Sequence, residues 1–125
     1  MHKVLLVDDE AKILALGRAA LSRNPDLETL VARDGQEAIE ICAADSPEVV
    51  FLDVMMPKKD GFAVCREIKA DPLLRKIKVC IVTAFAQQST VKEAAAAGAD
   101  DYMTKPFRPS ELLAKAEQMM LPVVA

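Results

Sequence analysis

Val49-Val50-Phe51-Leu52-Asp53 is four apolar residues running straight into a carboxylate, with Val54-Met55-Met56-Pro57 behind it. A short continuous apolar run fits a strand buried on both faces, the kind found in parallel sheets. In open α/β sheets, ligand crevices open at the carboxyl ends of strands, which is where Asp53 falls. An Asp in that position also starts turns and caps helices, so its meaning depends on the rest of the chain.

Upstream, Lys3–Val7 is a β-rich run that ends in Asp8-Asp9-Glu10. Ile13, Leu14, Leu16, Ala20 and Leu21 follow at spacings of three and four, which predicts a helix with those residues on its apolar face. Asn24-Pro25-Asp26 stops it. Leu27–Ala32 is a second strand, and Glu28 and Thr29 within it predict an edge position. Asp34-Gly35 reads as a turn, and Ala38, Ile39 and Cys42 mark a second helix closed by Ser46-Pro47.

Downstream, Asp60-Gly61 opens a third helix with Phe62, Cys65 and Ile68 on one face, and Asp71-Pro72 ends it. A basic loop (Arg75, Lys76, Lys78) leads to a fourth strand over Ile77–Thr83. Gln88–Ala97 is helical by propensity, with mostly alanine as its apolar content, and Gly98 caps it. Asp101-Tyr102-Met103-Thr104 reads as a short fifth strand, Lys105-Pro106-Phe107 as a loop, and Ser110 as the cap of a last helix carrying Leu112, Leu113, Ala116, Met119 and Met120. Five strands thus alternate with five helices. That alternation predicts an α/β fold, a parallel sheet covered by helices on both faces.

A length of 125 residues allows one domain with a full core. The net charge of −3 argues against nucleic acid or an anionic membrane as the main partner. No apolar run approaches the ~20 residues of a membrane span, and the apolar run at the amino end meets Asp8 too early for a signal-peptide core. The expectation is a cytoplasmic protein. Cys42, Cys65 and Cys80 are widely spaced and lack C-x-x-C pairs, which predicts buried reduced thiols rather than disulfides or zinc. His2 has no assigned role.

In a parallel sheet the carboxyl ends of all strands share one edge. Strand one brings Asp8 and Asp9 there, strand three Asp53, strand four Thr83, and Lys105 directly follows strand five. Each has a bland reading: Asp8-Asp9 as dipole partners of the next helix, Thr83 as a strand-end hydroxyl, Lys105 as a solvated charge. Their joint placement is the informative feature. Carboxylates about 5 Å apart repel by roughly 3 kcal/mol per pair at an effective dielectric near 20, so one is protonated or a cation sits among them. Oxygen-only ligands suit Mg²⁺. An ammonium and a hydroxyl opposite would hold two oxygens of a phosphoryl group. Asp53, emerging alone from the central strand, is the candidate nucleophile, and Asp8-Asp9 the candidate metal pair.

At these residues the chain closely resembles the receiver domain of two-component response regulators, including the single-domain chemotaxis and sporulation regulators. The matching pieces are Val7-Asp8-Asp9-Glu10, Leu52-Asp53-Val54-Met55-Met56-Pro57 with Asp60-Gly61, Thr83-Ala84, and Gly98-Ala99-Asp100-Asp101-Tyr102 with Lys105-Pro106-Phe107. The resemblance spans essentially the whole chain, residues 1–125 as one receiver domain. It implies a flavodoxin-like, doubly wound (βα)5 fold with strand order 2-1-3-4-5. It implies Asp53 as phosphoacceptor, and Mg²⁺ held by Asp8, Asp9, Asp53 and the Met55 backbone carbonyl. Thr83 would be the switch hydroxyl, Lys105 the cation that pairs with the phosphoryl group, Tyr102 the aromatic switch, and Lys105-Pro106 a cis peptide. Gly61 is structural. Met55 and Phe85 occupy the two positions that tune phosphoryl lifetime in the family.

The implied partners are a histidine kinase or phosphotransfer protein and a downstream effector, with no direct contact to nucleic acid or membrane and a homodimer as an option. The output face would be built from the helix after Thr83, the fifth strand and the last helix. The function expected is a signalling switch that catalyses only its own phosphorylation and dephosphorylation. A small aspartyl phosphatase would want a second Asp where Met55 stands, and a flavodoxin-like cofactor binder a Ser/Thr/Gly-rich loop where Asp8-Asp9-Glu10 stands. A receiver forming part of a longer regulator, with a DNA-binding or enzymatic output domain, is the alternative.

Overall fold

The computed structural model describes residues 2–56, 60–84 and 88–120. In chain order the elements are β1 (His2–Val7), α1 (Ala11–Leu21), β2 (Leu27–Ala32), α2 (Gly35–Asp45), β3 (Val49–Asp53), α3 (Gly61–Ala70), β4 (Lys78–Thr83), α4 (Gln88–Ala96), β5 (Asp101–Thr104) and α5 (Pro109–Met120). The strands form one sheet in the order β2-β1-β3-β4-β5, every pair parallel. This is the flavodoxin-like order expected from the resemblance.

Strand periodicity explains the two cores. Successive side chains point to opposite faces, so Leu5, Val7, Val50, Leu52, Val79 and Ile81 meet α2, α3 and α4 through Ala38, Cys42, Phe62, Ile68 and Ala94. Their neighbours Val4, Leu6, Val49, Phe51, Cys80 and Val82 meet α1 and α5 through Leu14, Leu21, Leu112 and Met119. Every residue of β3 is buried, because β3 lies between β1 and β4 with helices on both faces. β2, with Glu28 exposed, is an edge as its polar residues predicted.

Caps set several helix starts. Asp34 accepts the Glu37 N–H at 2.9 Å, so it begins α2 rather than only making a turn. Asp60 accepts the Ala63 N–H at 2.8 Å. Ser46 ends α2 at φ 48. The last helix begins earlier than its serine predicted. Arg108 holds the cap position: its carbonyl accepts from Glu111 and Leu112, and its N–H donates to Glu111 Oε1 at 3.0 Å. Pro109, lacking an N–H, fits the first helical position, and Ser110 lies inside the helix. Leu16 is also corrected. It is 42% exposed, while Gly17 is buried in its place against Leu6 and Leu112. On a 3.6-residue repeat Leu16 lies about 100° from Gly17, which is central to the buried arc of Leu14, Gly17, Ala20 and Leu21, and falls beside exposed Lys12. Lys78 is no free loop charge, since its Nζ donates to the Met119 carbonyl at 2.6 Å.

Candidate functional site

The polar residues buried among the described ones are Asp8, Asp53 and Thr83. All three stand at the carboxyl edge of the sheet, at or just beyond the ends of β1, β3 and β4. Register brings them together. Val7 pairs with Leu52, so the next residues, Asp8 and Asp53, emerge side by side. Asp53 pairs with Val82, one residue before Thr83.

Lys105 completes the group from beyond β5. Its N–H donates to the Thr83 carbonyl at 2.8 Å, which fixes its backbone against the end of β4. The Lys105-Pro106 peptide is cis. The ammonium then lies 2.7 Å from Asp8 Oδ2 and 3.4 Å from Asp53 Oδ1. One cation therefore bridges two buried carboxylates from separate strands.

Charge and burial set the protonation of this group. Burial raises the Asp53 pKa and the neighbouring Asp8 charge raises it further, against the opposing pull of Lys105 and of the Met55 backbone hydrogen bond. Burial alone would lower the Lys105 pKa, but its hydrogen bond to Asp8 and the charge of Asp53 outweigh that, so the net shift is upward. The lysine stays an ammonium.

The anionic side extends toward solvent. Asp8, Asp9 and Glu10 each offer a carboxylate oxygen, all within 4.8 Å of one another. Asp8 also accepts the Glu10 N–H at 2.9 Å, which folds this corner over the start of α1. The donors are hard oxygens, one buried and two exposed, and together they could hold a hard divalent cation. Glu10 joins the Asp8-Asp9 pair that the sequence singles out for metal. Its contiguity with Asp8-Asp9 was the available signal. Asp53 contributes no oxygen to that cluster. The backbone of Met55 bonds the Asp53 carboxyl, and its side chain is 69% exposed.

Gly61 fixes the backbone beneath Asp53. A Cβ on Gly61 would collide with the Asp53 carbonyl and stand 3.0 Å from Val54 Cα, and its N–H donates to the Val54 carbonyl at 3.1 Å. Only glycine allows this approach. Tyr102, in β5, faces outward and is 43% exposed. Phe85 lies outside the described residues.

Comparisons with known proteins give the family. The family model for the response regulator receiver domain matches residues 4–117. The probable transcriptional regulator ycf27 of Guillardia theta is 39% identical over 95% of this chain and 45% of its own length. The alkaline phosphatase synthesis transcriptional regulatory protein PhoP of Bacillus subtilis is 36% identical over 94% of this chain and 48% of its own length. The chain thus spans about half the length of the curated relatives it matches. Among solved structures, the chemotaxis protein CheY4 of Vibrio cholerae superposes with a TM-score of 0.87 at 30% identity, over 97% of this chain and 99% of that one. A receiver-domain match over 114 consecutive positions (residues 4–117), together with the strand order and the polar edge just described, makes this chain a member of the response regulator receiver domain family.

Proposed function

We propose that the chain is a cytoplasmic phosphoacceptor switch of a two-component or phosphorelay system. Asp53 takes a phosphoryl group from a histidine kinase or phosphotransfer protein and passes the signal to an effector. The observation that carries this reading is the convergence of Asp8, Asp53, Thr83 and Lys105 on one sheet edge.

The chemistry follows from that placement. A carboxylate oxygen of Asp53 attacks phosphorus. A P–O bond forms, the P–N bond to the donor imidazole breaks, and the ring nitrogen leaves with the electron pair. Asp8 and Asp9, with Asp53 itself, are the residues suited to hold Mg²⁺, which when bound would neutralise charge developing on the transferred oxygens. Lys105 already spans Asp8 and Asp53, so a short reorientation gives one phosphoryl oxygen an ammonium partner. The Thr83 hydroxyl would serve a second oxygen. The product adds charge of about −2 at the edge. Thr83 and Lys105 bind that state better than the free carboxylate, and only such differential contacts shift a conformational equilibrium. Tyr102, exposed in β5, would then turn inward behind Thr83, altering the face formed by α4, β5 and α5. The chain's whole length, residues 1–125, would act as this one domain, turning over its own phosphoryl group and no separate substrate.

Incubation with Mg²⁺ and acetyl phosphate tests the reading. Wild type should gain the mass of one phosphoryl group and Asp53→Asn should not. Equal labelling of both proteins would overturn it.

A further inference from the structure

Lys69, in the last turn of α3, is bonded to three acceptors in two other segments. Its Nζ donates to Asp100 Oδ2 at 2.7 Å, to the Ile77 carbonyl at 2.7 Å and to the Arg75 carbonyl at 3.3 Å. Asp100 is gripped from a second side. The same Oδ2 accepts the Val79 N–H at 2.8 Å, and the Asp100 N–H donates to the Val79 carbonyl at 2.8 Å. The Lys69 stem packs under Gly98, where a Cβ would stand 3.1 Å from Lys69 Cγ and where φ is +90. Cys65 Sγ donates to the Ala97 carbonyl at 3.4 Å. The contacts through Asp100, Gly98 and Ala97 hold the turn after α4, and those to Arg75 and Ile77 tie Lys69 itself to the loop before β4.

The other end of α4 is held differently. Ser89, Lys92 and Glu93 are exposed, and Thr90 and Val91 are partly so. Among the described residues, their side chains form no hydrogen bond or ion pair with another element. The buried side chains of this region, Ala94 and Ala97, lie toward the clasped end. Moving that end means breaking several hydrogen bonds at once, including a charge-assisted one whose lysine is mostly shielded from water. Among the described residues, moving the amino end disturbs the partial burial of Thr90 and Val91.

We propose that Lys69 is a positioning residue that makes the carboxyl end of α4 a fixed pivot. A displacement driven from the Asp53 edge is then a swing of residues 88–93 about residues 97–100, not a translation of the whole helix. Nine helical residues span about 13 Å, so a tilt of about 10° moves the free end by about 2 Å. This inference rests on the phosphoacceptor reading.

Hydrogen exchange of the full chain, with and without Mg²⁺ and beryllofluoride, tests it. In wild type the amides of residues 88–93 should change protection by about tenfold while those of residues 97–100 change by less than about twofold. In Lys69→Met, which keeps the stem against Gly98, the change should spread into residues 97–100, with phosphoryl uptake from acetyl phosphate retained. Lys69→Arg should restore the confined pattern. Equal changes at both ends in wild type would overturn the pivot, and so would a confined pattern in Lys69→Met or an unconfined one in Lys69→Arg. Failure of wild type to gain any phosphoryl mass is a separate readout. It refutes the phosphoacceptor reading and removes the pivot with it.

Discussion

Lys105 and Asp8, 97 residues apart in the chain, share a 2.7 Å ion pair at the sheet edge. Asp8 is almost fully buried and Lys105 mostly so. A pair so shielded is strongly felt when one member is lost, because the other stays behind without a partner. Lys105→Met should lower stability at pH 7 by about 1–3 kcal/mol. The ammonium also competes with any cation for the same oxygens, so added Mg²⁺ should raise the Tm of the variant more than that of wild type. Thermal melts with and without Mg²⁺ check both effects. Equal Mg²⁺ responses would show that the lysine and the ion do not share a site.

Asp53 should oppose folding at neutral pH. Its folded pKa is raised, first by burial and then by Asp8. A raised carboxyl stabilises the fold only while protonated, and that contribution is lost as pH rises through the folded value. Without divalent ions, Asp53→Asn should therefore have the higher Tm at pH 7. The gap should close as pH falls below 3.8, the ordinary value. A variant that melts below wild type at pH 7 would contradict this.

The glycines should separate cleanly. Gly61→Ala drives a methyl into backbone at Asp53 and Val54, so it should cost at least about 2 kcal/mol. Gly17→Ala meets Leu6 Cδ1 at 2.6 Å, the movable tip of a side chain, and gains helix propensity, so its net effect should stay within about 1 kcal/mol. Urea titrations of the two variants measure the difference. Similar losses would mean that the strand end yields as readily as a leucine tip.

Alkali should unfold the protein through its thiols. Burial pushes Cys42 and Cys65 up to about 11 and Cys80 to about 12, from an ordinary 9.0. The stabilisation from keeping them protonated is complete below 9.0 and is lost as pH rises through 11 to 12, on the order of 3 kcal/mol per thiol. Iodoacetamide at neutral pH should label all three only as fast as the chain opens. Rapid labelling of the native protein would refute this burial.

Phosphoryl lifetime should respond to Met55, whose backbone bonds the Asp53 carboxyl and whose side chain is exposed. Replacing it with Asn, or Phe85 with Gln, should shorten the half-life of the phosphorylated form by giving an attacking water a polar partner. A lifetime unchanged in both variants would remove these positions from the account.

The strands were the most legible part of the chain, because a buried parallel strand is written as a run of apolar residues. Once β1, β3 and β4 were located, parallel geometry alone put Asp8, Asp53 and Thr83 on one edge. Side-chain reach was less legible. Spacing put Leu16 on the apolar stripe of α1, but the arc that packs on the sheet is narrower and includes Gly17. Ser110 looked like a cap because capping chemistry is local, yet the Arg108–Glu111 hydrogen bond and Pro109 started the helix earlier. The Lys69 clasp left no trace in the pattern, since two of its acceptors are backbone carbonyls, which belong to every residue, and the third is the distant Asp100 carboxylate. Asp60-Gly61 announced a helix start but not how closely that glycine approaches Asp53.

With Asp8, Asp53 and Thr83 gathered at one rim, the remaining interior among the described residues is hydrocarbon, cysteine sulfur and hydrogen-bonded backbone. Substitutions there that conserve volume can alter how firmly the molecule holds together while leaving its electrostatics untouched. Mutational drift can thus retune robustness in one half of the protein and responsiveness in the other almost independently.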